Sequence, residues 1–266
     1  VKHRIDIDYF IKGENLVSIK DFPLEIASKS GMIYEVIRVN NAKPLFLKEH
    51  LERLRKSFEI LNMPQHNLNS ISGLVDKLIE ANGVKEGNIK IAIAQNNDSA
   101  ITPYLYFIPH RYPNAFQIEN GIKTLLQYDE RKLPQAKIAD WLIRGRANSI
   151  IDTKGVYETL LINSNNEITE GSRSNVFFIR DNELITASDN DVLSGITREK
   201  VIEIANNLNI TLNYRLLPVD DLRCIDAAFI TGTSPGVLQI KEIEDIQLDI
   251  NNAVYTKLFD GYNGLI

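Results

Sequence analysis

Three short segments in the second half of the chain limit its fold more than any other stretch: ITEGSRSNVFF at 168–178, LSGITREK at 193–200 and FITGTSPG at 229–236. Each sets glycine and hydroxyl residues against an apolar run, so each reads as a strand end or helix start in a tight turn. Glu170 stands at the first turn, Gly195, Ile196 and Thr197 open a helix in the second, and Thr233 and Ser234 follow a strand in the third. Together they offer one carboxylate and one anion receptor. A helix start acts as a receptor because its first N–H groups lack helical partners and carry the positive end of the dipole. Singly, each also has a plain structural use: Glu170 as a surface turn residue, Thr197 as a helix cap, Thr233 in a strand-ending turn.

Bulk properties exclude several classes. With 266 residues and 44% hydrophobic content, the chain can bury one large core or two smaller ones. Its formal charge is −5 with both signs interspersed, and no basic stripe or polybasic cluster points to nucleic acid or a membrane surface. Cys224 is the only cysteine, which excludes an intrachain disulfide framework and a multi-cysteine zinc site. The start, VKHRIDIDYF, lacks a signal peptide's apolar stretch, and no uncharged apolar run nears the ~18 residues of a membrane span. The expectation is a soluble, cytoplasmic protein.

Periodicity sorts the remainder. Residues 33–39 alternate strictly, with Tyr34, Val36 and Arg38 on one strand face and Ile33, Glu35, Ile37 and Val39 on the other. Leu47, Leu51, Leu54, Phe58 and Leu61 recur at helical spacing, predicting a helix over about 48–62 that Met63-Pro64 ends. A second helix is predicted over 67–81, and strands over 89–94 and 104–108. The stretch 109–118 has Pro109, Pro113 and no clear period, so it reads as a linker. Beyond it, helices are expected at 138–153, 196–208 and 249–260 among strands at 122–126, 156–162, 175–180, 183–187, 210–216 and 226–231. Strand clusters broken by occasional helices favour two α+β lobes over a regular βαβ succession.

A ring nitrogen that needs an anion, plus a phosphate that needs donors, describes pyridoxal 5′-phosphate. Its power as an electron sink depends on that nitrogen staying protonated. Glu170 suits the nitrogen; Thr197 and Thr233 suit the phosphate. Arg53, beside the apolar stripe of the first long helix, has the fork geometry for a phosphate, but as one of 30 basic residues it reads first as a solvated charge. No local motif singles out a lysine for the cofactor aldehyde. Lys137 and Lys154 lie nearest upstream of Glu170, with Lys132 and Lys123 farther out.

Preceded by YEVIRVNNAKPLFLKEHLERL at 34–54, the three segments resemble the fold-type IV family of pyridoxal-phosphate enzymes. That family includes branched-chain aminotransferases, D-amino acid aminotransferases and 4-amino-4-deoxychorismate lyases. The resemblance runs from about Gly31 to about Ile246 and is densest over 155–236. It implies a two-lobed α+β architecture: a small N-terminal α/β lobe at 1–110, a linker at 111–118 and a larger β-rich C-terminal lobe at 119–266. It implies Arg53, Gly195, Ile196, Thr197 and Thr233 as phosphate-binding residues and Glu170 as the partner of the pyridine nitrogen. Alignment with the D-amino acid aminotransferase pattern puts Lys137 at the Schiff-base position. Tyr34, Arg38, Arg173 and Ser234 fall at substrate-side positions, although Arg38 equally suits a cross-strand ion pair.

The implied activity is amino transfer between an amino acid and a 2-oxo acid. The implied assembly is a homodimer in which a loop of one protomer completes the other's pocket. Two departures stand out. The Arg-x-His carboxylate trap of the D-amino acid enzymes is missing from IAIAQNNDSAITPYLYF at 91–107, and SIKDFPLEIASKSGMIYE at 18–35 lacks the family's usual glycine-rich GDG approach. Together they argue against both D-amino acid specificity and a standard branched-chain pocket. A lyase releasing pyruvate and 4-aminobenzoate is the alternative, which a chain without an N-terminal extension suits at least as well. A catalytically silent relative is a third reading. Retention of Lys137, Glu170, Arg53 and Thr197 argues against it.

Overall fold

The sequence YFIKGENLVS folds into a hairpin of β1 (Tyr9–Lys12) and β2 (Asn15–Ser18), closed by Gly13-Glu14. This hairpin was not among the expected elements. Helix α1 (Leu24–Ser28), β3 (Ile33–Asn40), β4 (Lys43–Pro44), α2 (Leu47–Ile60), α3 (Asn69–Asn82), β5 (Gly87–Gln95) and β6 (Ile101–Ile108) follow. The computed structural model describes residues 7–63, 69–95 and 101–266, so the expected helix stop at Pro64 and the start at 67 lie outside the described residues. These strands form an antiparallel sheet in the order β2-β1-β6-β5-β3-β4.

The alternation in β3 has the consequence its pattern demands. Ile33, Ile37 and Val39 pack with Leu54 and Phe58 of α2 and with Ile71, Val75 and Leu78 of α3. Each such burial contributes about 1.5–3 kcal/mol before entropy is counted. The opposite sheet face carries Tyr34, Val36 and Arg38, which are directly opposite Ala92, Lys90 and Asn88 of β5.

The chain divides into two compact units: residues up to 111 with 136–141, and residues 112–135 with 142–266. The second unit begins with α4 (Ala115–Asn120) and β7 (Ile122–Tyr128), followed by α5 (Trp141–Lys154), whose first residue counts with the first unit. Next come β8 (Glu158–Ile162), β9 (Glu167–Gly171), β10 (Asn175–Arg180), β11 (Glu183–Thr186), α6 (Ile196–Asn207), β12 (Leu212–Tyr214) and β13 (Leu217–Pro218). Strands β14 (Ala227–Gly232), β15 (Gly236–Ile243) and β16 (Ile246–Gln247) precede α7 (Ala253–Asn263). The mixed sheet runs β12-β11-β10-β14-β15-β7-β8-β9-β13, with β16 on β15.

Register in this sheet is fixed on both faces. Phe177 pairs with Phe229 across β10 and β14, their rings stacked at 4.9 Å, while Val176, Phe178, Ala228 and Ile230 join the core on the other side. A one-residue slip would exchange the two sets, so the pairing is strongly specified.

Two expectations change. The segment read as a linker at 111–118 contains the start of α4, capped reciprocally by Asn114 and Gln117 at 2.8 and 3.1 Å. That Asn-x-x-Gln box is a helix-start signal, and the nearby prolines drew attention away from it. Helix α5 begins at Trp141 rather than 138, because residues 136–139 pair with the start of β3 instead. Their backbone bonds run from Tyr34 N–H to the Lys137 carbonyl at 3.1 Å and from Ala139 N–H to the Met32 carbonyl at 3.0 Å. Among the described residues, no helix is long and apolar enough to cross a membrane.

Candidate active site

In the first unit, the site residues gather around the start of β3. The Lys137 backbone is pinned twice: its carbonyl accepts from Tyr34, and its N–H donates to Ser57 Oγ on α2 at 3.2 Å. Its ammonium lies 5.0 Å from the centre of the Tyr34 ring, within cation–π range. Burial separates Lys137 from the other three lysines weighed: Lys137 is half-buried, whereas Lys123, Lys132 and Lys154 are exposed and Lys123 pairs with Glu242 at 2.8 Å.

Arg53 is not a solvated charge. It is 7% exposed, and its Nε and one terminal nitrogen donate to the two oxygens of Glu35 at 2.8 and 2.7 Å. Such a fork-to-carboxylate contact fixes the guanidinium plane as well as its position. His50 Nδ1 lies 2.8 Å from the same carboxylate. Burial alone would raise the pKa of Glu35, but attraction and hydrogen bonding from Arg53, then His50, hold it far below the usual carboxylate range. Burial pulls the pKa of His50 below its ordinary 6.5 against the opposing effect of Glu35. A neutral ring therefore donates its Nδ1–H to the carboxylate. Alternation put Glu35 on the apolar face of its strand, and that oddity was the available sign of a buried ion pair.

In the second unit, the three glycine-bearing segments meet at Asn175. Its Nδ2 donates to the Leu193 carbonyl at 2.8 Å, it pairs in register with Thr231, and a Cβ on Gly195 would overlap its side-chain oxygen. Only glycine permits that approach. Gly195 is the N-cap of α6 and makes no side-chain capping bond among the described residues, so the first N–H groups of the helix carry its anion affinity. Thr197 and Ile196 are buried in the first turn, beside a fully buried Arg198 that donates to the Ala187 carbonyl at 2.7 Å. Thr233 and Ser234 are half-buried in the turn from β14 to β15. Thr231 Oγ1 is buried with no hydrogen-bond partner among the described residues.

Glu170 lies within β9, not in a surface turn, and is 5% exposed. Arg131 Nε donates to its Oε1 at 2.8 Å, and another Arg131 nitrogen donates to the Ser172 carbonyl at 2.6 Å. The guanidinium favours the ionised carboxylate. On β8, buried Glu158 accepts from Ser172 Oγ, Ser174 Oγ and Arg173 N–H at 2.6, 3.0 and 3.2 Å, shaping the GSRS turn. A Cβ on Gly171 would displace Ser174 Oγ from its present position, where it donates to Glu158, so glycine keeps this hydrogen bond in place. Arg173 is exposed, and its guanidinium donates to Asn148 of α5. Sequence reading passed over Arg131, Glu158 and His50; the paired serines of GSRS were the one hint of a buried acceptor.

The chain and its architecture resemble known proteins. The signature of the family described as Amino-transferase class IV covers residues 32–243. A probable branched-chain-amino-acid aminotransferase of Thermotoga maritima is 29% identical over 233 residues, spanning 85% of this chain and 82% of its own. A D-alanine aminotransferase of Listeria innocua is 27% identical, spanning 81% and 79%. The structure of the T.th. branched-chain amino acid aminotransferase with pyridoxamine 5′-phosphate superposes with a TM-score of 0.87, at 20% identity and over 98% and 94% of the two chains. The family signature spans both units, and the fold agrees with that of its solved members. This chain therefore belongs to the class IV amino-transferase family and is a transaminase.

Proposed function

We propose that the enzyme uses pyridoxal 5′-phosphate to move an amino group between an amino acid and a 2-oxo acid. The observation that carries this reading is the meeting of the three segments at Asn175, in the same sheet as a buried carboxylate already charge-paired by Arg131. The donor set suits the group. An uncapped helix start and an orphaned buried hydroxyl at Thr231 fit a phosphate, and an ionised Glu170 fits a protonated ring nitrogen.

When bound, the cofactor supplies the electron sink that lets a substrate α-proton leave. By the family resemblance, Glu170 would keep the ring nitrogen charged, Ile196, Thr197 and Thr233 would donate to the phosphate, and Arg53, oriented by Glu35, would be a further phosphate donor. Lys137 would hold the cofactor aldehyde, and its freed amine would take the proton from the substrate α-carbon. By the same resemblance, Tyr34, Arg38, Arg173 and Ser234 would be substrate-side residues. The family resemblance is the support for a cytoplasmic homodimer.

The test is to incubate the holoprotein with L- and D-amino acids, with and without a 2-oxo acid acceptor, and with aminodeoxychorismate. The expected result is a keto product that forms in proportion to acceptor consumed. Pyruvate and an aromatic amine formed without an acceptor would install the lyase reading instead. Glu170→Gln is expected to retain the cofactor while slowing the proton shift about 10²-fold, as for loss of one charge-stabilising contact. An unchanged single-turnover rate would remove Glu170 from the ring nitrogen.

A further inference from the structure

Glu158 is a buried carboxylate with no part in the chemistry proposed for Glu170 and Lys137. It is 5% exposed at the start of β8, and no cation among the described residues pairs with it. Four uncharged donors surround it instead. Its Oε1 accepts from the Thr159 N–H at 2.9 Å and from Ser172 Oγ at 2.6 Å. Its Oε2 accepts from the Arg173 N–H at 3.2 Å and from Ser174 Oγ at 3.0 Å. An apolar side chain of similar volume would fill this space without the desolvation cost of a carboxylate. Three of the four donors belong to consecutive residues of one turn, so what the carboxylate supplies is the placement of that turn.

A second set of contacts carries that placement to Glu170. Ser172 is fully buried, and its N–H donates to the Thr159 carbonyl at 2.9 Å while its Oγ donates to Glu158. Its carbonyl is thereby held towards Arg131. One terminal nitrogen of Arg131 donates to that carbonyl at 2.6 Å, and Nε donates to Glu170 Oε1 at 2.8 Å. The guanidinium is planar and rigid, so a displaced Ser172 carbonyl would turn the fork and disturb the Nε contact with it. Glu158, Ser172, Arg131 and Glu170 form one hydrogen-bonded chain within the second unit.

We propose that Glu158 is a positioning residue: by fixing Ser172 it holds Arg131 against Glu170, and so sets how firmly Glu170 keeps the cofactor's ring nitrogen charged. The inference deepens the transaminase reading and rests on its assignment of Glu170 to that nitrogen.

The readout is the pH midpoint of the holoprotein's visible lysine-bound absorbance, which needs no turnover. A charged ring nitrogen lowers that midpoint, because it disfavours a second positive charge at the lysine nitrogen. Weakening the partner of the ring nitrogen therefore raises it. Glu170→Gln should raise the midpoint by about 1 pH unit or more, and Glu158→Gln by about 0.5. Ser172→Ala keeps the main-chain bond to Thr159 and removes only the Oγ contact, so it should fold like the parent and shift the midpoint the same way. In a Glu170→Gln background both shifts should vanish, since their route runs through that carboxylate. A role confined to packing would loosen the cofactor and leave the midpoint in place. A parental midpoint in either Glu158→Gln or Ser172→Ala overturns the inference, as do shifts that persist at full size in the Glu170→Gln background. Should Glu158→Gln fail to fold, Ser172→Ala decides alone. If Glu170→Gln itself leaves the midpoint unmoved, the ring-nitrogen role of Glu170 falls first and this inference with it, while amino transfer by the parent would leave the transaminase reading standing.

Discussion

Replacing Lys137 with alanine is expected to lower amino transfer by about 10⁴-fold or more and to abolish the cofactor's visible lysine-bound absorbance. The same change should leave the fold intact. The hydrogen bonds that hold residue 137 to Tyr34 and to Ser57 Oγ run through its main chain. Truncation removes the amine and its contact with the Tyr34 ring, but not the pairing with β3. A half-buried side chain lost in this way costs roughly 1 kcal/mol. Lys154→Ala is the matched control, since Lys154 is exposed at the end of α5 and should be silent in both assays. Turnover of the Lys137→Ala protein at the parental rate would mean that another amine does the work.

Glu35→Gln is expected to cost about 3–5 kcal/mol of stability, read as a lower urea midpoint. The amide keeps the shape of the carboxylate but not its charge, so the buried Arg53 guanidinium loses the Glu35 counter-charge and the network loses one acceptor oxygen. Because Arg53 is also the proposed phosphate donor, weaker cofactor retention should accompany the loss. The network predicts the direction of pH dependence too. Glu35 has a depressed folded pKa, so its contribution is present above the ordinary 4.5 and fades as pH falls below it. His50 is held below 6.5, so the unfolded chain takes up its proton first, and stability starts to fall as pH drops through about 6.5. The parent should therefore lose stability in two stages on acidification. His50→Asn keeps a donor for Glu35 and should erase the upper stage. A flat profile from pH 7 to 5 in the parent would contradict the neutral, buried imidazole.

Local patterns carried the elements because backbone geometry imposes its period on side chains. The alternation at 33–39 and the leucine spacing at 47–61 became β3 and α2 with their apolar faces inward. The hairpin at 9–18 and the box at Asn114–Gln117 were present in the sequence as a glycine turn and an Asn-x-x-Gln spacing. Stronger neighbouring signals obscured them. Helix α5 was placed too early because nothing within residues 136–139 says that a distant strand edge will capture their backbone.

The sequence by itself determined the family, the two glycine-bearing turns at Gly171 and Gly195, and the order of the carboxylate and donor segments, since turn chemistry is local. The tertiary structure alone decided which charges lose their water. It buried Arg53 against Glu35, set Arg131 on Glu170 across 39 residues of chain, and enclosed Glu158 behind the GSRS turn. Desolvation depends on what the rest of the fold stacks around a group, and sequence neighbours carry no record of that.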